Sequence, residues 1–246
     1  MLRRRGRTVI ASPNIWHWPE LYEVENRAQD VDGAIFAALR EITPWSGRVV
    51  VDVGCGSGYH LPVFAEAASS VIGVEPHPPL VSLAQQRVKH LSHVSVLEGR
   101  ADKLPLASNS VDVVHARTAY FFGRGCEPGI NEALRVLRSN GILVIVDLDA
   151  TAHPYGQWMR EDLPHYNPGA VEAFFAEQGF SLRRVDTTWR FNTRQDLNEV
   201  IGIEFSPRVA LRAERETVGL SLSVRYRIHT IQKTLVHPHR AGVDQR

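Results

Sequence analysis

Between Val49 and His60 the chain reads Val-Val-Val-Asp-Val-Gly-Cys-Gly-Ser-Gly-Tyr-His, a β-branched run passing into glycines at alternate positions 54, 56 and 58. No other stretch constrains the fold as tightly. An unbroken apolar run is the mark of a strand covered on both faces, and such strands belong to parallel sheets flanked by helices. Glycines directly after it let the backbone turn sharply and approach a ligand with no Cβ in the way. A dinucleotide fingerprint would need glycine where Tyr59 stands, and a phosphate loop would need Gly-Lys-Ser/Thr to follow. Both pyrophosphate readings lose ground, a nicotinamide oxidoreductase included.

The same alternation of short apolar runs and helical stretches continues downstream. Strands are expected at Val49–Val53, Val71–Glu75, Val94–Leu97, Val111–His115 and Ile142–Asp147, with helices at Tyr59–Ala68, Pro79–Leu91 and Pro128–Leu137, the last stopped by Asn140-Gly141. Beyond them the pattern predicts a helix over Ala170–Gln178, a strand over Leu182–Trp189, a long helical stretch from Gln195 to Glu216 and a half-exposed strand over Leu220–Ile231. Before the core, residues 1–47 read as a helical arm carrying Trp16, Trp18 and Tyr22. A single helix over Glu20–Leu39 would span about 30 Å at 1.5 Å per residue, enough to reach the carboxyl ends of the strands and act as a lid. Residues 48–235 then form one domain, with substrate-side elements in 151–216, and 236–246 a flexible tail.

Charge and cysteine content narrow the function classes. With 28 Lys+Arg against 27 Asp+Glu the net charge is +1, which provides no overall field for gathering a polyanion, so a nucleic-acid partner is not expected. Arg3, Arg4, Arg5 and Arg7 read as a solvated terminus. Cys55 and Cys126 are too few for a disulfide framework, so a reducing, cytoplasmic setting is expected. Apolar runs such as Ile142–Val146 are far short of the roughly 18 residues a membrane helix needs, so no membrane partner is expected.

Two carboxylates end strands at useful places. Glu75 closes the second strand 21 residues beyond Gly54, where it can accept hydrogen bonds from ribose hydroxyls of an adenosyl ligand without a 2′-phosphate. Asp102, after the third strand, can accept from an adenine amino group. The fourth strand ends at Ala116-Arg117, where a reacting group would sit.

With Asp52-Val-Gly54-Cys-Gly56-Ser-Gly58, Glu75, Ala101-Asp102 and the Arg135-Val-Leu-Arg-Ser-Asn-Gly-Ile-Leu143 stretch in view, the chain resembles the class I S-adenosylmethionine (SAM)-dependent methyltransferases of the type 11, small-molecule branch. The resemblance implies a Rossmann-like, doubly wound α/β sheet of seven strands, the last antiparallel, with helices on both faces. It implies SAM as cofactor, with S-adenosylhomocysteine as product. Asp52 and the segment Gly54, Cys55, Gly56, Gly58 would face its methionine part, Glu75 the ribose, Ala101 and Asp102 the adenine, and Ala116 and Arg117 the methionine side near the sulfonium. The acceptor would be a small molecule methylated on O, N or C, and a homodimer is compatible with this reading. A SAM-fold subunit without turnover is the alternative.

Absences shape the rest. The chain lacks the acidic-or-Asn and double-proline pattern of amino-methylating nucleic-acid enzymes after strand four, the Pro-Cys of cysteine-nucleophile enzymes and the paired glutamates of arginine methyltransferases. Asp147 and Asp149 read as structural, and neither His90 with His93 nor His237 with His239 has supporting ligands, so no metal is expected. His115, inside a strand, reads as a core histidine. If the acceptor must lose a proton, His153 is the candidate base, with Tyr155, His165 and Tyr166 beside it in an acceptor pocket.

Overall fold

The computed structural model describes residues 12–234. The arm comprises α1 (Pro13–His17), α2 (Pro19–Ala28) and α3 (Ala34–Ile42). Then come β1 (Val49–Val53), α4 (Leu61–Ala65), β2 (Ser70–Glu75), α5 (Pro78–Val88), β3 (Val94–Glu98), β4 (Val111–Arg117), α6 (Glu127–Val136) and β5 (Leu137–Leu148). The remainder is α7 (Tyr155–Asp162), α8 (Pro168–Glu177), β6 (Ser181–Arg190), α9 (Arg194–Glu204), α10 (Pro207–Glu216) and β7 (Ser221–Gln232).

All seven strands form one sheet in the order β3-β2-β1-β4-β5-β7-β6. β1 to β5 run parallel, and β7 inserts antiparallel between β5 and β6. The order reverses between β1 and β4, which is where a doubly wound sheet opens a crevice at the carboxyl ends of its strands. Because successive side chains point to opposite faces, alternate residues of one strand enter different cores. Val50, Val113, Val144 and Val146 join Ile35, Leu61, Phe64, Trp158 and Leu197 on one face. Val51, Val114, Leu143 and Ile145 join Ile130, Ala133 and Phe175 on the other.

Several boundaries differ from expectation for identifiable reasons. The arm is three helices, because Asp30 (φ 48°) and Gly33 (φ 69°) take left-handed backbone between α2 and α3; the expected 30 Å helix does not exist. The stretch 195–216 splits at Ser206-Pro207, where proline opens α10. Asn140-Gly141 does not stop α6, which ends at Val136; it lies inside β5, with Asn140 at φ 64°. The Arg-rich start and the tail 236–246, with His237 and His239, lie outside the described residues.

Candidate functional site

At the carboxyl ends of β1, β2 and β4 lies a cavity of about 860 Å³, within the range of small-molecule sites. Its floor is the turn after β1. Gly54 has φ +74°, and its N–H donates to Val74 O at 2.7 Å, which ties the turn to β2. A Cβ at Gly54 would stand 2.5 Å from the Ala119 Cβ, and one at Gly56 (φ +55°) would stand 2.7 Å from Ile15 Cδ1. These two glycines therefore answer to left-handed backbone and to other parts of the chain closing on them, not only to a ligand's approach.

Glu75 is buried at the end of β2. Its Oε2 accepts from Gly56 N at 3.1 Å and its Oε1 from His77 N at 3.0 Å, so one carboxylate holds the glycine turn and the start of α5 together. Burial raises its pKa against the pull of those two N–H groups. Each oxygen keeps a second lone pair for a hydroxyl in the cavity. Asp102 also lines the cavity, and its carboxylate receives Arg100 Nε at 2.9 Å and Nη2 at 2.7 Å. Asp52 sits deeper; across the β1–β4 pair its Oδ1 accepts from His115 Nδ1 at 2.7 Å, while His115 Nε2 is buried without a partner. His60 lines the cavity as a neutral imidazole, because burial, with positive Arg117 nearby, drives its pKa well down.

The arm supplies the opposite wall. Ile15, Trp16, Tyr22, Asn26 and Gln29 all line the cavity, Tyr22 and Asn26 one turn apart on α2 and Gln29 directly after its last residue. Trp16 stacks on His77 with ring centres 4.1 Å apart and 12° between planes. Glu23 accepts from Ser57 Oγ and pairs with Arg87 Nη2 at 2.6 Å. Gln29 Oε1 accepts from Arg117 Nη2 at 2.8 Å. Trp18, in contrast, is 56% exposed and takes no part.

Behind the arm lies a buried pair of carboxyl groups. Glu204 of α9 receives Tyr155 Oη and Asn14 Nδ2, and Gln29 Nε2 donates to Glu25 Oε1 at 2.5 Å. Burial and the repulsion between Glu25 and Glu204 hold the Glu25 pKa well above the ordinary glutamate range, and burial raises that of Glu204. The cavity's Cys126 thiol is pushed up to about 11 by burial, and burial likewise raises Cys55 well above its ordinary value, so neither is a thiolate near neutrality.

Of the residues anticipated for the cofactor, Asp52, Gly54, Cys55, Gly56, Glu75, Ala101, Asp102 and Arg117 line the cavity. Gly58 and Ala116 do not. Gly58 packs instead on Ala84 of α5, and Ala116 belongs to the opposite core because strand alternation turns it away from the face that Arg117 presents. His153 is exposed and outside the cavity wall, as is His165. Tyr155 packs against Trp158, Trp189 and Phe205, and the Tyr166 hydroxyl accepts from Arg227. None of these four residues lines the cavity. Asp147 pairs with Arg227 at 2.9 Å and Asp149 with Arg184 at 3.0 Å.

Residues 51–145, which include the glycine turn, Glu75 and Asp102, match the family model Methyltransf_11, methyltransferase domain. That segment matches a methyltransferase domain, and the sheet that carries it has the fold of the SAM-dependent methyltransferases. It is 36% identical over 130 residues, 52% of its own length, to an uncharacterized methyltransferase of Mycobacteroides abscessus, of which it covers 49%. It is 27% identical over 178 residues, 68% of its length, to a tRNA U34 carboxymethyltransferase of Syntrophotalea carbinolica, of which it covers 55%. The chain thus spans about half the length of these curated relatives. Among solved structures, the fold matches a SAM-dependent methyltransferase of Aquifex aeolicus with TM-score 0.58 at 17% identity, over 90% of this chain and 98% of that one. Among the described residues no helix is long and apolar enough to cross a membrane.

Sequence reasoning missed Asn26, Gln29, His60 and Thr118 on the cavity wall. The first two follow Tyr22 at i+4 and i+7, a signal present in the sequence, but only the docked position of α2 turns that face toward the crevice.

Proposed function

We propose that this protein transfers the methyl group of SAM to O, N or C of a small-molecule acceptor. The observation that carries this reading is the division of one cavity: the glycine turn, Glu75 and Asp102 on one side, and the arm's Tyr22, Asn26 and Gln29 with Arg117 on the other. The residues present suit an adenosyl amino acid. Glu75 offers a buried carboxylate to ribose hydroxyls, Asp102 offers an acceptor at the adenine end, and the backbone of 54–57 borders the space without side chains at two positions. When bound, SAM supplies an electrophilic methyl group on a positively charged sulfur.

The protein's part is then to hold the acceptor atom in line and keep water out, which alone supplies several powers of ten in rate. The arm performs the exclusion, with Trp16 over His77 and Ile15 over Gly56. His60, neutral and on the wall, is available to accept a hydrogen bond from the acceptor. No thiolate mechanism fits Cys126, whose thiol stays protonated near neutrality.

Calorimetry with S-adenosylhomocysteine and with NAD tests the cofactor, and transfer of labelled methyl groups from SAM tests turnover. Label in a small-molecule extract supports the reading. Label in bulk tRNA instead, the acceptor named for the Syntrophotalea relative, replaces the small-molecule acceptor with RNA. Binding of S-adenosylhomocysteine with no transfer to either favours a silent subunit, and tighter binding of NAD overturns the methyltransferase reading.

A further inference from the structure

Two arginines are buried in the central sheet, and their surroundings differ. Arg227 of β7 is fully buried, ion-pairs with Asp147 Oδ2 at 2.9 Å and lies 3.8 Å from Glu172 Oε1. Arg117, at the end of β4, is 8% exposed and lines the cavity. Its Nη2 donates to Gln29 Oε1 at 2.8 Å, it hydrogen-bonds the Tyr226 hydroxyl, and its guanidinium carbon lies 5.0 Å from the centre of the Tyr226 ring.

Those partners are neutral. Among the described residues no carboxylate comes within 4.0 Å of the Arg117 guanidinium. Glu25 and Asp30 act on it only through space, and burial pushes Glu25 toward its protonated form. A guanidinium withdrawn from water with no carboxylate in contact is under-compensated, and arginine's planar fork matches carboxylate and phosphate oxygens two at a time. Arg227 has a carboxylate in contact inside the protein; Arg117 has none in contact among the described residues and faces the cavity.

We propose that Arg117 receives a carboxylate or phosphate group of the methyl acceptor, which makes the substrate class an organic anion. This rests on the methyltransferase reading above. The carboxylate of SAM itself is the other source of the same chemistry. Direction favours the acceptor: Arg117 leans toward α2 and toward Tyr226 of β7, two places along the sheet from β4, whereas the glycine turn and Glu75 lie on the other side of β4, after β1 and β2. Tyr22, Tyr120 and Phe122 line the same cavity and suit a flat or apolar body behind the charged end.

The experiment titrates S-adenosylhomocysteine-saturated protein with phenylacetate, acetate and inorganic phosphate, and with the neutral isostere phenylacetamide. The expected result is that at least one anion binds, that phenylacetate binds at least tenfold tighter than the amide, and that Arg117→Gln removes this preference. Arg117→Lys should keep part of it, and S-adenosylhomocysteine affinity should stay within twofold in both variants. If Arg117→Gln does not fold, the acid-against-amide comparison on the wild-type protein and Arg117→Lys decide. No anion binding, equal binding of acid and amide, or unchanged acid binding in folded Arg117→Gln overturns the proposal. So does a loss of S-adenosylhomocysteine affinity in Arg117→Gln with 5′-methylthioadenosine, which has no carboxylate, binding as before; Arg117 then belongs to the cofactor's carboxylate. The titrations are repeated on cofactor-free protein, so that failure to bind S-adenosylhomocysteine counts against the methyltransferase reading and an Arg117-dependent acid preference is scored separately.

Discussion

Ile15 of the arm lies over Gly56 of the β1–α4 turn so closely that a Cβ at position 56 would fall 2.7 Å from its Cδ1. The contact makes the glycine turn part of a closure between two segments of the chain as well as part of the cavity floor. Gly56→Ala should therefore act twice, through left-handed strain of about 1 to 2 kcal/mol and through displacement of Ile15. The expected outcome is a folded protein with a lowered melting temperature, roughly tenfold weaker S-adenosylhomocysteine binding and faster proteolysis within α1 and α2. Calorimetry and limited proteolysis check it; wild-type proteolysis of the arm would show that Ile15 adjusts without cost.

Glu75→Ala should weaken S-adenosylhomocysteine binding by about 1.5 to 3 kcal/mol, the range for hydrogen bonds to a charged group. Part of that loss comes from the Gly56 and His77 N–H groups, which lose their shared acceptor. The sheet should stay intact, because the residue ends β2. Unchanged affinity in a folded variant would leave Glu75 with only its backbone-holding role.

The arm is expected to be part of the binding site. Trp16→Ala removes the stack on His77, worth about 0.5 to 1.5 kcal/mol, and should cost about two- to tenfold in S-adenosylhomocysteine affinity, while Trp18→Ala should cost nothing. Deletion of residues 1–19 should preserve the circular dichroism of the sheet and reduce affinity further. Full affinity and full activity in the truncated protein would reduce the arm to packing.

The Glu25–Glu204 pair sets a pH dependence. Both carboxyls have raised pKa values in the fold, so the folded state holds protons that the unfolded state releases. Their contribution to stability is fully present below the ordinary glutamate range and is lost as pH rises through the raised values. His60 and His229, the latter held near 4, act oppositely, since their depressed values remove stability as pH falls below about 6.5. Between the ordinary glutamate range and the raised values the carboxyl pair lowers stability as pH rises, so Glu25→Gln should gain melting temperature relative to the wild type as pH rises from that range. A constant melting-temperature difference between the two proteins from about pH 4 to 9 would contradict the assignment.

Much of the frame was legible in the residues alone. The β-branched runs at 49–53, 71–75, 94–97 and 111–115 became β1 to β4 within two residues at either end; β1 and β4 are buried on both faces and so apolar nearly throughout, while β3 is an edge strand with only Val96 fully buried. The glycine turn, Glu75 and Asp102 gather at one crevice because a parallel sheet brings the carboxyl ends of its strands to one edge. The expected acceptor-side residues failed for a corresponding reason. His153, Tyr155, His165 and Tyr166 follow β5, but nearness to a strand end does not say which loop side chains turn inward, and the structure spends Tyr155 on the core and on Glu204.

Local sequence decided which segments become strands, where the ligand-facing turn sits and which carboxylates close β2 and follow β3, since all of these rest on side-chain period, β-branching and glycine's left-handed freedom within a few residues. Only the tertiary structure decided the rest of the site. It docked α2 so that Tyr22, Asn26 and Gln29 face the crevice, set Ile15 on Gly56 and Gln29 on Arg117 across 88 positions of sequence, and turned Ala116 away from the cavity while Arg117 faces it. Contacts between residues that far apart depend on how amphipathic elements bury their apolar faces against one another, and helical or strand periodicity states that a face is buried without naming what it meets.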